Sequence, residues 1–155
     1  MPIVGTPLNA AAAKKGLTAS EVRVFLRDYS GKNPLLADVE FSDSEISIAV
    51  SMAVEQANVI GRPTTYTVSS FPNSYVLKLG AVSYLLKSEA FRQVRNEATY
   101  QDGNIQPIGV DNKQQSYLGI AGMLTQEFVQ LVTSIKVAAN MSTSRGVGSP
   151  LKRFK

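Results

Sequence analysis

The sequence predicts a mainly α-helical protein: a small bundle of three long helices and one short helix, with a protruding β-hairpin or loop and extended terminal arms. Two capping boxes each precede a segment with helical spacing of apolar residues, which indicates two capped amphipathic helices. A third segment, from residue 74, is apolar around nearly its whole circumference, as is typical of the central helix of a bundle. With 155 residues, one domain can bury enough surface to fold without disulfides or metal.

The first two helices are predicted from their N-terminal caps. Thr18 and Glu21 form the first capping box and open a short helix that runs to about residue 28. Ser42 and Glu45 form the second, and the helix that follows extends to about residue 60. Besides its core face, this helix has a second, narrower apolar strip, which suggests contact with more than its own core and consists of Ile48, Met52 and Val59.

The third helix is predicted over residues 74–95, after an extended or looped segment at 62–73. Gly80 lies inside it, where glycine costs about 1 kcal/mol relative to alanine. We therefore expect Gly80 to allow close packing against a neighbouring helix. After Ser88 the sequence becomes polar, beginning with Glu89, and this predicts that the helix leaves the core there.

A hairpin or loop over residues 97–112 is predicted to separate the third helix from the fourth. Asp102-Gly103 between two short β-tolerant runs is a strong hairpin signal, although a lone hairpin is marginal in water and needs support. The fourth helix is predicted over residues 116–140, with Ile120 and Phe128 on its apolar face and Asn140 as its stop.

We predict a helical domain at residues 17–140, preceded by a flexible arm at 1–16 and followed by a basic tail at 141–155. The tail is distinguished by its charge. Residues 1–140 contain 12 basic and 12 acidic residues, so the net charge of +4 comes entirely from the tail. Such a tail binds polyanions or acidic protein surfaces, or simply remains solvated.

Composition excludes several kinds of chemistry. The chain has no cysteine and no histidine, which removes thiol nucleophiles, Ser-His-Asp triads and the usual zinc sites. Asp43 and Glu45 are explained by the first turn of a helix, where carboxylates favour the helix dipole. We therefore expect no enzyme, no catalytic residues, no cofactor and no metal.

Membrane insertion and sequence-specific DNA binding are not expected either. The most apolar stretch that we single out, residues 75–86, is far too short to span a bilayer, and the N-terminus has no export signal. No predicted helix combines an Arg- and Lys-rich exposed face with base-reading residues. Non-specific contact with phosphates through the basic tail remains open.

The order of these elements resembles that of a known protein family. A capped helix at 42–60 precedes the loop residues Phe71-Pro72, and an apolar helix containing Leu79-Gly80-Ala81 continues into Arg95-Asn96. Tyr100-Gln101-Asp102-Gly103 and a final long helix follow. Over residues 18–140 this arrangement is similar to the helical head-to-tail adaptor, or connector, proteins of tailed bacteriophages.

The resemblance implies a structural virion protein in the neck, made in the host cytoplasm. It would form a ring, commonly of twelve copies, between the portal protein and a downstream neck or tail protein, and would extend the DNA channel. The loop would contact a neighbouring subunit or the next ring through Tyr100, Gln101, Asp102, Gly103, Asn104 and Ile105. The tail would dock on the portal through Arg145, Ser149, Pro150, Leu151, Lys152, Arg153, Phe154 and Lys155.

Two alternatives stay open from the sequence. A head-completion protein or tail terminator would share the same neck location and differ only in its position within the particle. A small DNA-associated regulator would instead use the basic tail and would lose DNA affinity steeply as salt rises.

Overall fold

The computed structural model describes residues 16–31, 38–99 and 113–145, and their fold is mainly α-helical, as predicted. Helix α1 spans Ala19–Leu26, α2 spans Asp43–Val59, α3 spans Ser74–Thr99 and α4 spans Lys113–Arg145. These described residues contain no β-strand. The N-terminal arm at 1–15 and the predicted loop from residue 100 to 112 lie outside them.

Both predicted capping boxes are confirmed. The Thr18 amide donates to Glu21 Oε2 at 2.8 Å, and the Glu21 amide donates to Thr18 Oγ1. Ser42 and Glu45 repeat this arrangement at the start of α2, where the Ser42 amide donates to Glu45 Oε2 at 2.7 Å. These reciprocal bonds satisfy amide groups that the first helical turn leaves without partners.

Helix α3 is the central helix of an up-down-up bundle. It packs against both α2 and α4 and is antiparallel to each. Gly80 faces Ala53 and Phe128, and further along α3 the residue Arg92 reaches Glu40, before α2, and lies near Tyr117, close to the start of α4. The core is formed by the inner faces of these three helices, with Phe128 fully buried at their crossing. A methyl group placed on Gly80 would lie 2.9 Å from Ala53 Cβ and 2.8 Å from the Phe128 ring. The expected close helix approach at Gly80 is therefore confirmed.

Lys136 joins α4 to the end of α2. Its ammonium donates to the backbone carbonyls of Asn58, Ile60 and Arg62 at 3.3, 2.7 and 2.9 Å. These carbonyls lie at and just beyond the C-terminus of α2, where peptide oxygens lack helical partners and a cation is favoured. The three donors of the ammonium thus close the exposed end of α2.

Asp28 fixes the chain where it returns from residue 38 to α2. This buried carboxylate accepts hydrogen bonds from the amides of Glu40 and Phe41, at 2.7 and 3.1 Å, and pairs with Arg23 at 3.0 Å. Arg23 also contacts Asp43 in the first turn of α2, at 2.6 Å. Helix α1 is therefore attached to the start of α2 by charge as well as by packing.

Several predicted boundaries were wrong. Helix α3 continues through residues 97–99, which were assigned to the hairpin, because the sequence contains no glycine or proline between Gly80 and Gly103. Helix α4 begins at Lys113 and ends at Arg145, so residues 141–145 belong to the helix and not to the tail. Asn140 does not stop α4, and the first glycine after it is Gly146.

Two predictions about individual side chains were also wrong. Glu89 does not leave the core: it is buried, and the helix around it still faces α4. Ile120, placed on the apolar core face of the last helix, is exposed, because α4 rests on α3 along a narrow stripe centred on Ala121 and Phe128.

Candidate interaction surfaces

The predicted second apolar strip of α2 lies on the protein surface. Ile48, Met52 and Val59 are 55%, 40% and 74% exposed. Together with Glu55 they recur at i, i+4, i+7 and i+11, which places all four on one face of the helix. At 100° per residue this face is directly opposite the buried residues such as Ala53, so it cannot reach the core of its own chain. We call these four residues the α2 outer strip.

Helix α4 has a larger uncovered surface that was not predicted. Met123, Val137 and Met141 are 68%, 51% and 58% exposed. They share one helical face, opposite the buried stripe, with Gly119, Gln126, Gln130 and Ser134, which are exposed as well. We call these seven residues the α4 outer face. It contains no charged residue, which is unusual for a helix face that meets water.

A sequence signal for this face was available. Between residues 114 and 135 the only charged residue is Glu127, whose carboxylate accepts a hydrogen bond from the Tyr75 hydroxyl at 3.1 Å. That bond raises the pKa of Tyr75. Scattered glutamine, serine and threonine made the segment read as an ordinary amphipathic helix. Counting charges, rather than apolar residues, would have identified it.

By length and composition alone, Lys113–Met141 could also cross a membrane. Only 17% of the corresponding window is buried within the fold. The prediction that residues 75–86 form the most apolar stretch overlooked this helix. The expectation that the protein has no membrane partner stays a prediction.

A cleft with apolar walls and charged residues at its base lies between the start of α2 and the middle of α3. It has a volume of about 210 Å³ and includes Ile48 and Tyr84 in its lining. At its base, Arg92 contacts both carboxylate oxygens of Glu89, at 2.8 and 2.9 Å, and lies 3.6 Å from Glu40. The Gln93 side-chain amide donates to Glu89 at 2.6 Å. Buried Glu89 is thus held by hydrogen bonds and an ion pair.

Glu40 is the acid of this cleft whose pKa is raised. Burial raises the pKa of the Glu40 carboxyl, and the nearby charge of Glu89 raises it further, while Arg92 opposes both. Burial also raises the pKa of Tyr117, which faces the same acids from α4. Neighbouring Glu45 behaves in the opposite way, since hydrogen bonds from Ser42 lower its pKa.

The buried charges have structural partners. Within the described ranges, every buried side-chain nitrogen or oxygen has a hydrogen-bond partner. Burial lowers the pKa of Lys136, but all three of its donors are used at the end of α2. In the same ranges, no group of three or more Asp or Glu residues is arranged to hold a metal ion.

The two contact regions implied by the family resemblance are almost entirely outside the described residues. This holds for the loop residues Tyr100, Gln101, Asp102, Gly103, Asn104 and Ile105. It also holds for the tail residues Ser149, Pro150, Leu151, Lys152, Arg153, Phe154 and Lys155. Arg145, the remaining residue of the portal-docking set, is the last residue of α4. Of the predicted contact residues, the structure thus describes the side chains of Ile48, Met52 and Val59 alone.

Comparison of the chain with protein-family models, with curated proteins and with solved structures gave no match.

Proposed function

We propose that this protein is a structural, non-enzymatic subunit of a tailed-bacteriophage neck, a head-to-tail adaptor that assembles with copies of itself into a ring. The ring, of about twelve copies by the family resemblance, docks on the portal protein and continues the DNA channel toward a downstream neck or tail protein. The order of the helices and the basic tail support a place in the neck. The portal protein and the neck or tail protein are named as partners from the family resemblance alone.

The α4 outer face is the observation that carries the assembly part of this proposal. The apolar side chains Met123, Val137 and Met141 of this face are exposed to water, which is unfavourable, and exposed apolar patches mark interaction sites. The α2 outer strip is a second such surface on a different helix. A subunit with two uncovered surfaces suits an assembly in which every copy has two neighbours.

Contact with a protein partner accounts for the exposed α4 outer face better than insertion of α4 into a membrane does. Helix α3 runs antiparallel along α4 and carries Lys78, Lys87 and Arg92 at the same depth. If α4 crossed a bilayer in this fold, those cations would be carried into or beside the hydrocarbon layer, where each costs about 2.5–3.5 kcal/mol or more. A protein partner covers the α4 outer face without that cost.

The proposal is tested by the size of the purified full-length protein. Sedimentation and negative-stain imaging over a wide concentration range should show closed rings, or a monomer that becomes rings when portal protein is added. A chain that stays monomeric at every concentration, with and without portal, contradicts the proposal. Removing residues 146–155 should abolish portal binding and leave the circular dichroism of the helices unchanged.

The same preparation separates the alternatives. A DNA-associated regulator predicts affinity for duplex DNA that depends on residues 145–155 and falls steeply with salt. A membrane protein predicts flotation of the full chain with lipid vesicles. A head-completion protein or tail terminator would also form rings, and its position in imaged particles would distinguish it.

A further inference from the structure

The cleft between α2 and α3 contains more negative charge than its own residues neutralise. Three acids and one cation line it, so two acidic charges are in excess when Glu40, Glu45, Glu89 and Arg92 are all ionised. Arg92 contacts both carboxylate oxygens of Glu89, but it lies 3.6 Å from Glu40, beyond hydrogen-bond distance. No described residue donates a hydrogen bond to the Glu40 carboxylate. Glu40 is therefore an open acceptor for an incoming cation.

The walls of the cleft are apolar and suit the rest of a basic peptide. Ile48 and Tyr84 are partly exposed at the surface, and the buried Phe41 and Leu85 complete the lining. The aliphatic stems of lysine and arginine cover such surfaces, and an aromatic ring attracts a cation that lies over its face. The volume of about 210 Å³ is below the roughly 300–1,000 Å³ of pockets for free ligands. The cleft therefore fits a few side chains of a peptide better than a separate small molecule.

The ten residues after α4, which we call the C-terminal segment, match the cleft in both properties. Residues 146–155 contain no acid and three cations, Lys152, Arg153 and Lys155. Phe154 lies between two of these cations, so the segment has an aromatic side chain for the walls and positive charges for the base. Its chemistry is complementary to that of the cleft.

The C-terminal segment is too short to enter the cleft of its own chain. Gly80 of α3 lies against Phe128 of α4, where the two antiparallel helices cross. From there α4 continues to Arg145 and α3 continues in the opposite direction to Ser88 in the cleft, which places the two ends about 38 Å apart along the bundle. Phe154 is nine residues beyond Arg145, and nine fully extended residues span at most about 32 Å. The segment therefore reaches these acids only in a second copy.

We propose that the C-terminal segment of one copy docks in the cleft between α2 and α3 of a second copy, where its cations face Glu40 and Phe154 packs against the apolar walls. The contact is head-to-tail, since two different surfaces of the chain meet, and it can be repeated from copy to copy. This inference goes beyond the proposed function, which assigns the same segment to the portal protein, so the cleft and the portal compete for it. A docked cation also offsets the burial and the Glu89 charge that raise the pKa of Glu40.

Cysteine cross-linking tests the docking in the full-length chain, which has no natural cysteine. S88C places a thiol at an exposed position of the cleft, and K155C places one beside Phe154. Mixing the two variants under oxidising conditions should give disulfide-linked dimers about tenfold above background, since docking raises the local thiol concentration. S69C, in the exposed loop before α3, is mixed with K155C to measure that background.

Charge variants test the chemistry of the contact. Glu40→Gln should lower the S88C–K155C yield about two- to fivefold, the range of a partly exposed ion pair. Glu55→Gln removes an exposed acid of α2 that is outside the cleft, so it should leave the yield unchanged. The yield should also fall as salt rises, because salt screens the attraction. Equal yields in Glu40→Gln and Glu55→Gln would overturn the inference.

Further variants identify the occupant. The double variant S88C/K155C should give a ladder of oligomers whose yield rises with protein concentration, because the two thiols of one chain do not meet. A disulfide within single chains at every concentration would overturn the inference. Lys14 and Lys15 are another adjacent pair of cations, but the first 15 residues contain no aromatic residue. K15C mixed with S88C should therefore stay at background, and a yield equal to that of K155C would assign the cleft to the N-terminal arm and overturn the inference.

The inference and the proposed function fail separately. Wild-type rings that bind portal protein, together with background cross-linking between S88C and K155C, would overturn the inference and leave the proposed function standing. Efficient cross-linking in a chain that neither closes into rings nor binds portal protein would support the inference and contradict the proposed function.

Discussion

The substitution Gly80→Ala tests the packing at the centre of the bundle. The added methyl carbon would lie 2.8 and 3.0 Å from two carbons of the Phe128 ring and 2.9 Å from Ala53 Cβ. Ordinary contacts between carbon atoms are 3.5–4.0 Å long, so all three are strongly repulsive. Phe128 is fully buried and has no space to turn into, and Ala53 Cβ moves only with the backbone of α2. Relief therefore requires the helices to separate.

Two opposing energies determine how much Gly80→Ala changes the free energy of unfolding. Overpacking a core costs about 1–3 kcal/mol, and three contacts this short place Gly80→Ala in the upper part of that range, at about 2–3 kcal/mol. Replacing glycine by alanine in a helix returns about 1 kcal/mol. We expect Gly80→Ala to lower the free energy of unfolding by about 1–2 kcal/mol, or the melting temperature by about 2–8 °C for a chain of this size.

Gly122→Ala is the matched control. Gly122 is also inside a helix, but nothing lies within 4 Å of an added methyl group, so only the helix-propensity gain of about 0.5–1 kcal/mol remains. The assay is urea and thermal unfolding followed by circular dichroism, at concentrations where the protein is monomeric. The two substitutions should have opposite signs. If Gly80→Ala were as stabilising as Gly122→Ala, the close approach of α2, α3 and α4 would be wrong.

Two further predictions concern one buried charge, Lys136, and one half-buried charge, Glu40. Lys136→Met should lower the free energy of unfolding by about 2–3 kcal/mol in urea titrations, because three carbonyls at the end of α2 lose a charged donor. Lys113→Met, on the exposed start of the same helix, should change it by less than about 0.5 kcal/mol, and equal losses would refute the capping role. For Glu40, whose pKa is raised in the folded protein by burial and by Glu89, the folded state binds the proton more tightly than the unfolded chain. The free energy of unfolding should therefore fall as pH rises from 4.5 through the raised pKa of Glu40. Glu40→Gln should remove this pH dependence. At neutral pH the same substitution should stabilise the protein by less than about 1 kcal/mol. Glu55→Gln is the exposed control on α2, and an unchanged pH profile in Glu40→Gln would contradict the assignment.

The parts of the fold that depend on local sequence were predictable. The capping boxes at Thr18 and Ser42 fixed where α1 and α2 begin, and helical periodicity identified the core face of α2. Gly80 signalled a close helix contact because no local reason for a glycine exists there. Each of these inferences uses residues within one helical turn of each other, so no knowledge of tertiary structure was needed.

The parts that depend on tertiary contacts were not predictable. Glu89 looks like the start of a solvent-exposed segment. Its partners Arg92 and Gln93 lie one turn along the same helix, but its burial depends on the packing of α3 against the neighbouring helices. Lys136 looks like a surface lysine until the end of α2 is placed against it. The extension of α3 was missed because neither glycine nor proline lies close to its end, and the extension of α4 was missed because Asn140 was taken as its end although Gly146 is the first glycine after it.

Of the two candidate surfaces, one was predicted from the sequence and the other was not. The α2 outer strip was found from periodicity, since a helix with two apolar stripes has more surface than one core can cover. The α4 outer face was missed, because its residues are a mixture of methionine, valine, glycine and uncharged polar side chains. The scarcity of charge in this segment was visible in the sequence, and the structure adds how much of α4 remains uncovered.

The bond from Lys136 to the end of α2 has a consequence for the geometry of an assembly. It locks α4 to α2 at a fixed distance and tilt, and these are the two helices that carry the outward-facing surfaces. In a closed array of identical units, the angle between such surfaces sets the curvature and therefore how many units complete the circle. In the assembly proposed above, one ammonium group would thus help to determine the diameter of the ring.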